Sequence, residues 1–326
     1  MNLHNTTNII DSSKINDFIK CRRYCMYAHF FGWKSLTPSN HLVFGEAWHL
    51  AMEYLLLNGY SMKSVAQAFE LMLNKYRQTF PPETDEMFGA KTPENAFIVL
   101  AKYAQKYARD LEQFEVLYTE IAGSVSIGEG KQINFRMDSV LRELANKKIS
   151  SLEHKTGSST YMWLEQWILS IQFGTYTHVL NCLFPAEEID AVYVNGVFFG
   201  KGIKAWAELR ATGETTMKTI PYDFLREPVK KSRNQMQVWL DTINYYYDEL
   251  KMEAQLLVDA KDSDEVLRAF PLNPLSCGSY GHVCEYKDFC TAWANPLRKL
   301  SDEAPLGFKI EFWNPLEREA KQVFTL

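Results

Sequence analysis

Three residue types within positions 138–155 can do chemistry together. Asp138 stands in INFRMDSVLREL, and Glu153 and Lys155 stand one residue apart in SSLEHKTG. Alternation of apolar and polar positions predicts a strand for the first stretch. Ile133, Phe135, Met137 and Leu141 share one face, while Asn134, Arg136, Asp138 and Arg142 share the other. In a following strand the two-residue spacing puts Glu153 and Lys155 on a common face. Taken alone, that pair is no more than two charges on the wet face of a strand. With Asp138 on the neighbouring strand, two carboxylates can supply the oxygen ligands that Mg²⁺ or Mn²⁺ prefers. Such an ion lowers the pKa of a bound water and polarises a phosphoryl oxygen. A lysine beside it can orient that water or offset charge building on the phosphorus centre. The imidazole of His49 suits Mn²⁺ better than Mg²⁺. Each residue type has a task in phosphodiester hydrolysis.

The elements that must position these residues follow from periodicity. Ser12 or Ser13 is expected to cap a first helix through SKINDFIKCRRYCMYAHFFGW, which carries Cys21 and Cys25. FGEAWHLAMEYLLLNG predicts a second helix closed by Gly59. In it Glu46, His49 and Glu53 fall at i, i+3 and i+7, a polar stripe that either faces water or lines a site. Residues 61–80 and 93–114 predict two more helices around the turn-rich PPETDEMFGAKTP. From 116 the period changes, and VLYTEIAGSVSI, INFRMDSVLREL and KKISSLEHKT predict three consecutive strands. A long helix through YMWLEQWILSIQFGTYTHVLNCLF places Gln172 and Tyr176 one turn apart. Strands IDAVYVNGVFF, IKAWAELRAT and TTMKTIPY come next, then a helix over 228–258 with Lys230, Lys231 and Arg233 near its start. The pattern predicts an α/β fold with a helical insertion.

At 326 residues with 46% hydrophobic and 23% charged positions, the chain has the composition of a globular protein with a full core. A net charge of −5 argues against coating nucleic acid by charge alone, yet leaves room for a local basic groove. No apolar run reaches spanning length and the start MNLHNTTNIIDSSK does not resemble a secretory signal, so a cytoplasmic location without membrane contact is expected. The six cysteines do not resemble a secreted disulfide framework. Cys182 is expected to be an inert buried thiol. Cys277, Cys284 and Cys290 crowd near the end, and four thiolates suit either an iron–sulfur cluster or tetrahedral zinc.

The motifs, in order, resemble the PD-(D/E)XK nuclease superfamily in its RecB-like branch. They are similar to the iron–sulfur exonucleases exemplified by the CRISPR-associated adaptation nuclease and the AddB nuclease domain. The matching pieces are FGEAWH with His49, RMDSV with Asp138, EHKTG with Glu153 and Lys155, and QFGTY with Gln172 and Tyr176. Cys21 and the C-terminal CGSYGHVCEYKDFC complete them. The resemblance covers residues 12 to 291. It implies a restriction-endonuclease-like mixed central sheet flanked by helices, with N- and C-terminal ends stapled by a metal cluster. It implies that His49, Asp138, Glu153 and the backbone carbonyl of His154 bind Mg²⁺ or Mn²⁺. Lys155 would be catalytic together with Asp138 and Glu153, and Gln172 and Tyr176 would contact DNA. Glu120 matches a less constant acidic position. A 4Fe–4S cluster maps to Cys21, Cys277, Cys284 and Cys290, with Cys25 a rival to Cys21 and six residues between Cys277 and Cys284 where some relatives have two.

The expected organisation is one structural domain. It has an N-terminal helix with the first cluster cysteine (1–44), a helical segment with the His motif (45–115), a nuclease core (116–262) and a C-terminal cluster segment and tail (263–326). The expected activity is metal-dependent hydrolysis of single-stranded or end-bearing DNA, as an exonuclease in recombination, end processing or spacer acquisition in a prokaryotic or phage-infected cell. A helicase or integrase partner fits the absence of a GxxxxGK[ST] motor motif. The alternative is a catalytically silent DNA-binding or assembly subunit that keeps the fold.

Overall fold

A computed structural model describes residues 9–200, 222–279, 282–300, 303–313 and 322–326. The chain is α/β, built on a mixed sheet in the order β10-β2-β3-β4-β5-β6 with helices flanking it. Its long strands are β2 (Phe114–Gly128), β3 (Lys131–Glu143), β4 (Ile149–Gly157), β5 (Ile189–Phe199) and β6 (Tyr222–Val229), with β10 (Gln322–Thr325) at one edge, while β1 (Trp33–Ser35) and β9 (Phe308–Ile310) pair antiparallel by themselves. The three consecutive strands expected from 116 onward are present within two residues of their predicted ends. β3 and β4 are antiparallel, with Ser139 opposite Leu152, and the Ser139 hydroxyl donates to the Leu152 carbonyl at 3.1 Å. β4 and β5 are parallel, which requires a crossover between them. β6 returns antiparallel to β5.

Two compact units share these strands. One comprises residues 38–121 and 137–231. Here α3 (Asn40–Asn58), α4 (Met62–Arg77) and α5 (Pro93–Lys106) pack Trp48, Met72 and Tyr103 against Val197 and Phe199 of β5. Gly59 ends α3 at φ +85, as its sequence position predicts. The expected helix over 93–114 divides at Tyr107, and a short α6 (Asp110–Gln113) leads into β2. The helix expected over 161–184 also divides. A single turn, α7 (Glu165–Ile168), gives way to α8 (Ile171–Leu183), because Ser170 leaves helical geometry and its side chain accepts from Phe173 N. Cys182, expected to be buried, is exposed near the end of α8.

The other unit comprises residues 1–37, 122–136 and 232–326. Asp11, not Ser12 or Ser13, caps α1 (Ser12–Lys20) by accepting from Lys14 N at 2.8 Å. The long first helix expected there breaks at Cys21, which is extended at φ −162, before α2 (Arg22–Cys25) and a π-turn over Met26–Phe30. The helix expected over 228–258 begins later, as α9 (Arg233–Asp259). Ser232 and Gln235 form a reciprocal capping box at its start, Pro228 and Val229 belong to the end of β6, and Lys230 and Lys231 lie between the two elements. Tyr245 on α9 is 58% exposed. The predicted strand IKAWAELRAT lies outside the described residues, as does TTMKTIPY except for Tyr222. Among the described residues no helix is long and apolar enough to cross a membrane.

Candidate metal centre

Strand alternation and one helix bring the expected residues together. Asp138 on β3 precedes the Ser139–Leu152 pair, which sets it beside Glu153 on β4. His49 reaches the same place from α3, and its Nδ1 lies 3.1 Å from Asp138 Oδ1. The other Asp138 oxygen accepts from His154 N at 2.7 Å. Glu153 is 2% exposed, and its Oε1 accepts from Lys155 Nζ at 2.7 Å and from Gln172 Nε2 at 3.1 Å. Gln172 also donates to Tyr176 Oη at 2.7 Å, as their one-turn spacing on α8 predicts. Glu153 Oε2 is buried with no hydrogen-bond partner. A carboxylate oxygen in that state is costly unless a proton or a cation completes it.

Ligand atoms of His49, Glu120 and Asp138 lie within 4.8 Å of one another. Glu120 sits on β2 with φ +46, a left-handed conformation that a non-glycine residue adopts at a cost. Strain of that kind accumulates where a site over-determines the backbone. This donor set of one imidazole and carboxylate oxygens fits Mn²⁺, and Mg²⁺ less well through its nitrogen. The polar stripe predicted on α3 divides in the fold. His49 enters the site, while Glu46 is exposed and paired with Lys75 at 3.0 Å.

The electrostatics are those of charges confined together. Burial alone would lower the His49 imidazole, but the adjacent Asp138 carboxylate outweighs it and raises His49 to about 9. Burial would raise Asp138, yet His49 wins and holds it below the usual carboxylate range. Burial and the Asp138 charge raise Glu153 to about 7. For Lys155 burial acts downward, and Glu153 and Asp138 overcome it, so the amine stays protonated.

A sign follows for the metal-free protein. The folded Glu153 binds its proton more tightly than the unfolded chain does, so the stability it contributes is full below about pH 4.5 and is lost as pH rises through about 7. Glu153→Gln therefore raises Tm in EDTA at pH 8 and leaves it nearly unchanged at pH 4. Thermal unfolding at the two pH values measures this, and Mn²⁺ should then stabilise the wild type more than the variant.

A buried polar network behind the site was not legible in the sequence. Arg226 on β6 donates to both Asp110 carboxylate oxygens at 3.0 and 2.9 Å, to Tyr103 Oη at 2.9 Å and to Asn195 Oδ1 at 3.1 Å. Arginine only donates, so Asn195 must present its oxygen there and its amide nitrogen to His154 Nδ1, 2.8 Å away. That places the ring proton of His154 on Nε2, and burial, the main cause, lowers His154 to about 3, so the ring is neutral. The parallel register that pairs His154 with Asn195 is a tertiary fact with no signal in the sequence.

In the other unit Cys21, Cys277, Cys284 and Cys290 line one pocket with Lys20, Tyr24, Tyr286 and Lys287. Cys277 and Cys284 are joined across the β7 (Gly278–Ser279) and β8 (His282–Val283) hairpin, where Cys284 N donates to Cys277 O at 3.0 Å. Asn273 N donates to Cys21 Sγ at 3.3 Å. Cys25 is fully buried elsewhere, its Sγ 3.7 Å from the Lys14 carbonyl, and burial pushes its thiol up. Thus Cys21 and not Cys25 shares the pocket. Among the described residues the group of close metal-ligating atoms is His49, Glu120 and Asp138, and it includes no cysteine. The sequence matches no protein-family model and no curated protein.

Proposed function

We propose that the protein is a metal-dependent deoxyribonuclease of the PD-(D/E)XK type, RecB-like in its motifs, acting as an exonuclease on single-stranded or end-bearing DNA. The observation that carries this is Glu153. It is a buried carboxylate with one unpartnered oxygen, beside Asp138 on the neighbouring strand and joined to Lys155, and Asp138 in turn groups its ligand atoms with those of His49 and Glu120. A structural ion pair would satisfy both oxygens; a metal ligand leaves one for the cation. His49, Asp138 and Glu153 hold Mn²⁺ or Mg²⁺, with Glu120 as a further oxygen donor and the His154 carbonyl completing the set. When bound, the ion supplies an acidified water and withdraws charge from the phosphoryl oxygen. The chain's own residues do the rest. Lys155 stays protonated and offsets charge on the scissile phosphate. Gln172 and Tyr176 hold Glu153 in register and meet the DNA backbone.

On this proposal the sheet and its helices form a restriction-endonuclease-like core, and the four-cysteine pocket holds a 4Fe–4S cluster stapling the N- and C-terminal segments. Four thiolates serve either tetrahedral zinc or a multi-iron cluster, and the resemblance of the motifs favours the cluster. Cys284→Ala should remove the visible absorbance of anaerobically purified protein and lower Tm by about 10 °C, since the cluster closes a long loop. Unchanged colour and Tm would refute the staple. The activity is tested by Mn²⁺- and Mg²⁺-dependent degradation of labelled single- and double-stranded DNA, closed circles included. Degradation of linear DNA with circles spared is expected. No cleavage by cluster-loaded protein would leave a silent DNA-binding or assembly subunit as the reading.

A further inference from the structure

Between Lys155 on β4 and Gln172 on α8 the chain runs SSTYMWLEQWILS, residues 158–170. Its tryptophans anchor it. Trp163 is 7% exposed, meets Phe198 edge-on at 4.9 Å and fills the space over Gly196, where a Cβ would approach its ring to 2.5 Å. Trp167 packs against Trp163 at 5.6 Å and Phe173 at 5.2 Å, and its ring lies 5.6 Å from Lys155 Nζ. Yet this anchored stretch leaves Tyr161 83%, Met162 63% and Leu169 81% exposed. Met162 holds φ +51, a left-handed backbone unusual for a long side chain. Apolar groups held out to water on a fixed support mark a contact surface. A second cation stands beside the residue after Trp167, where Lys231 Nζ donates to the Ile168 carbonyl at 2.6 Å.

Resting on the nuclease reading, we propose that this ledge stacks the unpaired bases of the single DNA strand whose phosphate lies at Lys155, with Tyr161 as the principal stacking ring and Lys231 on the backbone. The combination of exposed aromatic and apolar side chains with two cations beside Trp167 and Ile168 suits a single strand, which offers base faces and phosphates together. A duplex hides its base faces within the stack and has nothing to offer Tyr161. An apolar peptide or a second copy of this chain would use the exposed side chains but not the cations. The ledge therefore selects single strands and frayed ends by stacking and not by groove readout.

The test titrates the full chain, in Ca²⁺, into a single-stranded oligonucleotide carrying 2-aminopurine near each end, and into a blunt duplex of the same sequence. Wild type should quench the 2-aminopurine. Tyr161→Ala should weaken single-strand binding about tenfold and lose the quench. Tyr161→Phe should keep both, and neither variant should alter duplex binding or Mn²⁺ affinity. Wild-type binding and quench by Tyr161→Ala, from a protein that still cleaves DNA in Mn²⁺, would overturn the ledge and spare the nuclease reading. Failure of wild type to bind or cleave any DNA would overturn both. A smaller oligomer for Tyr161→Ala without DNA would assign the face to a second copy and overturn the ledge.

Discussion

Lys155→Ala should reduce Mn²⁺-dependent DNA cleavage by at least about 10²–10³-fold, the effect of deleting one preorganised stabiliser of developing charge. The reason lies in where the amine is held. Its ion pair with Glu153 at 2.7 Å and the Trp167 ring at 5.6 Å confine it beside the carboxylates, so on the proposed nuclease reading no reorganisation would be needed as charge builds on the phosphate. The proposed ligands themselves remain in the variant. Mn²⁺ affinity by calorimetry should therefore stay within about an order of magnitude, and DNA binding in Ca²⁺ should persist. Glu153 loses its partner, so its proton is held still more tightly and the variant's metal binding should weaken more steeply as pH falls. Cleavage above a third of the wild-type rate would remove Lys155 from the chemistry and leave the pair as a structural bridge.

Asp110→Ala carries the largest expected cost in stability, about 3–5 kcal/mol, because it strands a buried guanidinium. Arg226 and Asp110 have side chains only 13% and 8% exposed and share two hydrogen bonds. Replacing both with apolar residues, as in Asp110→Leu with Arg226→Met, should recover most of the loss, since paired burial yields little net stability. Denaturant unfolding of the single and double variants measures this directly. The network also reaches the candidate metal centre. Arg226 orients Asn195, Asn195 holds His154, and His154 N holds Asp138. A double variant that regains stability should still bind Mn²⁺ more weakly, and metal affinity equal to wild type would confine the network to folding.

Much of the site was legible because strand geometry is local. A period of two put Glu153 and Lys155 on one face and Asp138 opposite the core of its strand, and a helical turn joined Gln172 to Tyr176. These relations need no tertiary information, and the distances among them agree. Helix ends were less legible where polar side chains competed with helical backbone. Ser170 and Ser232 each stop or start a helix by accepting a backbone N–H, and Asp11 does so one residue before the serines expected to. The break at Cys21 carries no composition signal at all.

By itself, then, the sequence determined the α/β class, the three consecutive strands and the spacing of the carboxylates, lysine and cysteines, because backbone periodicity and side-chain chemistry are written residue by residue. Only the tertiary structure decided that His49 faces Asp138 while Glu46 on the same stripe pairs with Lys75. It likewise placed Cys21 rather than Cys25 with the C-terminal thiols, raised Glu120 to a member of the acidic group, and set Arg226 and Asn195 behind the site. Each of these outcomes depends on which segments distant in the chain pack together, and burial there fixes both the partners and the charge of every group.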